Sequence, residues 1–276
     1  MPAPEAPAWA ALLQHLTLPL RSSLTATPQG ESIELPFEGI TLHLSRQGKG
    51  APRVLLVHGW NSQSDTWNQW AACYLAAGWS VWTLDLPAHG RSGGRSTDVA
   101  QCGRAVLSAG QVSGIFHQVV GHSTGSAACL HAFRLGLKTF SSVHLAGPST
   151  LRSVLVQTAA AHHLSFEDTA FFLSRYEDHM REPLDHLSVE RLTEHLKHPG
   201  LVIHDPLDAV VPYSEAQNLT HAWPLANLQA WPGGGHVRLL QQPALMRMAS
   251  EHGQQAILTQ SASPNSLNGV DHDELA

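Results

Sequence analysis

From residue 53 onward the chain alternates short apolar runs with amphipathic stretches of about 10 to 16 residues, and this alternation narrows the available folds more than any other feature. The runs at residues 53–57, 80–86, 118–121 and 142–146 lack strict polar alternation, so both faces of each strand must be covered. The stretches between them, 65–77, 97–112 and 124–136, have helical spacing. Strands separated by helices in this way give β-α-β crossovers, hence an α/β fold with a mostly parallel sheet and helices on both faces.

The pattern is interrupted once. Residues 148–198 hold no convincing strand but several helical stretches, including 166–180 and 189–196. Alternation then resumes with strands at 201–204 and 228–231 and helices at 213–222 and 236–253. We read one core domain made of residues 33–147 and 199–253, with 148–198 as a helical cap inserted into it. Extended runs at 33–37 and 40–45 open the core, and a turn at Gly48-Lys49-Gly50 follows them. Residues 1–32 form an N-terminal appendage with a short amphipathic helix marked by Trp9, Leu12, Leu13 and Leu16. The polar tail, 254–276, is expected to be disordered.

Charge bears on partners. With 16 Lys+Arg against 22 Asp+Glu, the formal charge is −6, so no basic surplus favours nucleic acid or an anionic membrane surface. The 19 histidines make that charge strongly pH-dependent. Cys73, Cys102 and Cys129 are odd in number and widely spaced, which fits a reducing compartment better than a disulfide framework or a CxxC metal site. The first residues lack a basic start followed by an apolar run, and no apolar stretch is long enough to span a bilayer. A cytoplasmic protein is expected; its oligomeric state is not indicated.

Gly121-His122-Ser123-Thr124-Gly125 matches G-x-S-x-G. The match is weak by composition alone, but it lies between an apolar strand and an Ala-rich helix, the setting in which small residues allow a sharp turn to expose a serine. A serine hydroxyl needs a base, and the base needs an acid to fix its tautomer. Asp208 follows one buried run and His236 follows the last, so both, like Ser123, sit at carboxyl ends of strands that parallel packing brings to one edge. Asp205 is the alternative acid, although a strand-end Asp before Pro206 more often turns the chain. His162-His163 has no carboxylate at metal-ligand spacing, and neither metal nor cofactor is expected. In the cap, Phe166, Phe171 and Phe172 are candidate substrate contacts, with packing onto the sheet as the competing role.

With these residues in view, the sequence resembles the α/β-hydrolase fold superfamily over roughly residues 33 to 253. The likeness is carried by His58-Gly59-Trp60, by Asp85-Leu86-Pro87-Ala88-His89-Gly90-Arg91-Ser92, by Gly121 to Gly125, by Asp208-Ala209-Val210-Val211-Pro212 and by Gly235-His236. It implies an eight-stranded sheet with the second strand antiparallel, nucleophile Ser123, acid Asp208, base His236, and an oxyanion hole from the backbone N–H groups of Trp60 and Thr124. Thr124 also suits that role physically, because it opens a helix and its N–H has no helical acceptor. His58 and His89 are expected to hydrogen-bond loops. Ser126 departs from the glycine that relatives often carry there.

A serine rather than an aspartate nucleophile argues against haloalkane dehalogenases and related epoxide hydrolases. The expected activity is hydrolysis of small to medium apolar carboxylic esters. Thioester or carbon–carbon bond hydrolysis with the same triad, and ligand reception by a hydrolase-like pocket, are the alternatives.

Overall fold

The computed structural model describes residues 7–21 and 29–262. Helix α1 (Ala8–Thr17) precedes a hairpin of β1 (Glu31–Phe37) and β2 (Ile40–Gln47), whose tight turn is made by Glu38 and Gly39, both at positive φ. Alternation then begins with β3 (Arg53–Val57), α2 (Asn68–Ala76), β4 (Ser80–Asp85), α3 (Val99–Ser113), β5 (Phe116–His122), α4 (Thr124–Arg134) and β6 (Thr139–Leu145). Asp98 caps α3 by accepting from the Gln101 N–H, which sets where that helix starts.

Between β6 and the next strand the chain is helical: α5 (Leu151–Ala161), α6 (Phe166–Met180) and the short α7 (Val189–Thr193). It re-enters the sheet as β7 (Gly200–His204), followed by α8 (Tyr213–Ala222), β8 (Ala226–Ala230) and α9 (Pro243–Ala262). The last helix continues nine residues past the expected end at 253; residues 263–276 of the tail lie outside the described residues. No helix among the described residues is long and apolar enough to cross a membrane.

All eight strands form one sheet in the order β1-β2-β4-β3-β5-β6-β7-β8. Only the pairs made by β2 are antiparallel. Within β3, Leu55 and Val57 join a core that includes residues of α3, α4 and α8, whereas Val54 and Leu56 face the opposite way, toward α2 and α9. This explains the uninterrupted apolar runs: successive side chains enter two different cores, one on each side of the sheet.

The segment expected as an appendage is docked onto the protein. Leu12 of α1 is buried in the same core as α3 and α4, and the Trp9 ring meets Phe171 of α6 edge-on at 4.8 Å. The cap is tied down by a buried carboxylate: Glu215 of α8 accepts from the N–H and hydroxyl of Ser149, the Thr150 N–H and the Ser153 hydroxyl at the start of α5.

Candidate active site

The parallel register aligns the carboxyl ends of the strands. Val57 pairs with Gly121, His122 with Leu145, Leu145 with Ile203, and His204 with Ala230, so the loops after β3, β5, β7 and β8 leave from one edge. These loops carry Trp60, Ser123, Asp208 and His236.

Ser123 has φ 53° and ψ −123°, a backbone state that costs a non-glycine residue about 1 to 3 kcal/mol and persists only when its surroundings enforce it. Two glycines do so. A Cβ on Gly125 would lie 2.3 Å from the His58 carbonyl oxygen, and one on Gly121 would lie 2.6 Å from Ser126 Cα. With only hydrogen at both positions, α4 can start directly against the end of β3, and the serine is forced outward.

His236 bridges the other two residues. Its Nδ1 is 2.8 Å from Asp208 Oδ2 and its Nε2 is 2.9 Å from Ser123 Oγ. A carboxylate only accepts, so Nδ1 carries the proton and the Nε2 lone pair faces the serine hydroxyl, which donates to it. Burial works against the Asp208 charge, but hydrogen bonds from His236 and from the Val210 and Val211 N–H groups outweigh it and hold the carboxyl below its ordinary value. The Asp208 side chain is buried, so its charge is screened less by water where it meets the imidazole.

Asp205 faces elsewhere. It accepts from the Leu207 N–H at 2.9 Å and from the Gly235 N–H at 2.6 Å, and so ties the turn after β7 to the loop that carries His236. Sequence reasoning weighed the two aspartates but missed a second brace: His122 Nε2 lies 2.8 Å from the His236 carbonyl oxygen and donates to it. Burial pushes the His122 imidazole down to about 4, which keeps it neutral and limited to one N–H. Its place inside the G-x-S-x-G motif was the available signal, since the residue before Ser123 ends a strand beside the histidine loop. His204, also overlooked, donates from Nε2 to the Val211 carbonyl at 2.9 Å and sits 3.5 Å from Asp208 Oδ2.

The N–H groups of Trp60 and Thr124 make no hydrogen bond among the described residues, and Thr124 is the first residue of α4. The Trp60 ring packs edge-on against His89 at 5.0 Å. His58 and His89 act within loops. His58 accepts from the Leu86 N–H and donates to the Gly59 carbonyl, while His89 accepts from the Asn61 N–H and donates to the Pro87 carbonyl. Burial lowers both imidazoles, His89 to about 3. Asp85 organises the loop after β4: although burial opposes its charge, His43 and the N–H groups of Arg91 and Ser64 hold its carboxyl at about 2.

The three cap phenylalanines do not meet at a common lining. Phe166 is 89% exposed, Phe171 lies against Trp9 and is 50% exposed, and Phe172 is fully buried in the core beside Tyr176. The helical turn explains this: at about 100° per residue, positions 166, 171 and 172 point in three directions. Leu207, Val210 and Val237, neighbours in sequence of Asp208 and His236, are all exposed.

The family model described as the alpha/beta hydrolase family matches residues 54–247. An esterase of Pyrococcus furiosus has a similar structure, with a TM-score of 0.65 at 19% identity over 87% of this chain and 98% of that one. Mouse alpha/beta hydrolase domain-containing protein 10 superposes with a TM-score of 0.64 at 17% identity, covering 83% of this chain and 99% of that chain. A putative lipase of Acinetobacter baumannii gives 0.62 at 17% identity, covering 94% and 100%. Among curated proteins, the dihydrolipoyllysine-residue acetyltransferase component of the acetoin cleaving system of Cupriavidus necator is 38% identical over 91 residues, 32% of this chain. The match spans only 24% of that protein's length.

Proposed function

The chain belongs to the alpha/beta hydrolase family, and from that premise we propose that it is a serine hydrolase that cleaves carboxylic esters of small to medium apolar substrates through an acyl-enzyme on Ser123. The observation that carries this reading is the bridge by His236 between a buried Asp208 carboxylate and the hydroxyl of a serine held at strained φ/ψ. In the proposed reaction Ser123 Oγ attacks the acyl carbonyl while its proton passes to His236 Nε2, and the resulting imidazolium is stabilised by Asp208. The tetrahedral oxyanion accepts from the N–H groups of Thr124 and Trp60. The C–O bond to the alcohol breaks as His236 returns its proton to the leaving oxygen. Water then attacks the acyl-enzyme, with His236 taking its proton and giving it to Ser123 Oγ as the carboxylic acid departs.

Preference for apolar esters is supported by the exposed Leu207, Val210 and Val237, which are sequence neighbours of the acid and the base. An esterase and a putative lipase among the similar folds accord with ester hydrolysis.

The test combines fluorophosphonate labelling with turnover of p-nitrophenyl acetate and butyrate. Wild-type protein should label at Ser123 and turn over repeatedly, and Ser123→Ala should lose labelling and about 10⁴ or more in kcat while staying folded. Near-normal hydrolysis by Ser123→Ala refutes the nucleophile. Labelling without multiple turnover favours a ligand receptor, and labelling with turnover of thioesters or diketones but not esters moves the substrate class.

A further inference from the structure

Away from the triad, at the amino-terminal edge of the sheet, a cavity of about 380 Å3 opens between the α4–β6 connection and the segment entering β7. Lys138, Lys197, His195 and His198 line it together with Phe133 and Phe140, and among the described residues no aspartate or glutamate does. The chain has three lysines in all, so two of them meet at this one place. Neither forms an ion pair with a carboxylate among the described residues. In a protein of net charge −6, a concavity with two ammonium groups that have no acid in the lining and no ion-pair partner among the described residues is an electropositive exception.

We propose that this cavity is a second, non-catalytic binding site for an amphiphilic organic anion, a carboxylate on a short apolar chain. Its volume falls within the range of small-molecule sites, and its phenylalanines offer the apolar wall that an inorganic anion would not use.

His198, the most deeply buried polar residue of the lining, adds a donor of a particular kind. Its Nε2 is 3.0 Å from Ser142 Oγ, that hydroxyl is 3.0 Å from His144 Nε2, and His144 Nδ1 is 2.8 Å from Ser126 Oγ in the first turn of α4. Burial pushes His144 down to about 3 and His198 to about 4, so both rings are neutral and each carries one proton. A neutral imidazole donates at one nitrogen and accepts at the other, and a hydroxyl does both, so the chain of bonds can run in either direction. When it runs from Ser126 toward His198, His198 accepts from Ser142 and keeps its proton on Nδ1, which makes no hydrogen bond among the described residues. An anion in the cavity selects that direction and receives an N–H, with the lysines supplying the charge.

The experiment titrates octanoate into the full-length protein, with binding followed by calorimetry and the contact residues by amide and imidazole NMR shifts. Saturable binding is expected, with shifts centred on residues 138–140, His195 and His198, weaker binding of octanol, and a loss of about tenfold in affinity for Lys138→Gln/Lys197→Gln at unchanged Tm. Absence of saturable binding overturns the proposal, as do equal affinities for octanol and octanoate or an unaffected double variant. Shifts confined to the His236 loop overturn it too, because they place octanoate at the triad. The outcome is independent of the hydrolase reading, since Ser123→Ala should bind octanoate unchanged whether or not the wild type cleaves esters.

Discussion

Four buried histidines should make this protein labile to mild acid. His89, His122, His144 and His198 lie inside the fold, and burial pushes their imidazoles down to about 3, 4, 3 and 4 respectively. In the unfolded chain each titrates near the ordinary value of about 6.5. Below that pH the unfolded chain binds protons that the folded protein refuses. Stability is therefore full above pH 6.5 and is lost as pH falls toward the folded values. Each histidine removes about 2 kcal/mol by pH 5, so the four together remove about 8 kcal/mol, and about 6 kcal/mol is gone by pH 5.5. A domain's whole stability is about 5 to 15 kcal/mol, which places acid unfolding near pH 5. His58 and His204, also lowered by burial, steepen the fall. The carboxylates Glu182 and Asp85, held at about 2, contribute stability that is lost as pH falls below their ordinary values of about 4.5 and 3.8, through a separate and later window. The assay is urea unfolding by tryptophan fluorescence at steps from pH 8 to pH 5, with proton uptake on unfolding measured at pH 5.5. Stability should be level from pH 8 to 7 and then drop with a slope of about four protons from these rings and more with His58 and His204, and His144→Gln should reduce that slope by about one. Stability unchanged down to pH 5 would refute the assignment of these rings as neutral and buried.

Further outcomes follow from the same geometry. Asp208→Asn should lower kcat by about 10⁴: Oδ1 is committed to two backbone N–H groups, so the amide nitrogen must face His236 Nδ1 and force the wrong tautomer. Asp205→Asn should lower stability, because it loses an acceptor for the Leu207 or Gly235 N–H, with a much smaller effect on kcat, and steady-state kinetics showing the reverse ranking would move the acid to Asp205. Phe172→Ala should lower stability by about 3 to 5 kcal/mol and leave the C2, C4 and C8 ester profile unchanged, whereas Phe166→Ala should alter neither; a shifted profile for either variant would restore it as a substrate contact. Gly125→Ala should abolish soluble, active protein, since its Cβ would press on the His58 carbonyl; wild-type activity in that variant would contradict the tight packing of the elbow.

Local physics made much of this molecule legible in one dimension. An apolar run without alternation is buried on both faces wherever it falls in a sheet, so the central strands β3 to β7 were readable from residue order, as was the span of α6 at 166–180, whereas β1 and β8 lie at the sheet's edges and are not buried on both faces. Ser123 was readable for the same reason: a strained turn between a strand and a helix demands small neighbours at fixed offsets, and those offsets are written in the chain. Long-range register is not written there. Asp205 and Asp208 are three residues apart on one loop, and only the backbone N–H groups that claim their oxygens decide that Asp208 reaches the histidine. Phe166, Phe171 and Phe172 look alike as an apolar cluster, yet α1 and the core, elements distant in sequence, settle what Phe171 and Phe172 touch. His122 braces a carbonyl 114 residues away, and Lys138 meets Lys197 across an intervening cap, because the sheet brings strand ends together irrespective of their separation along the chain.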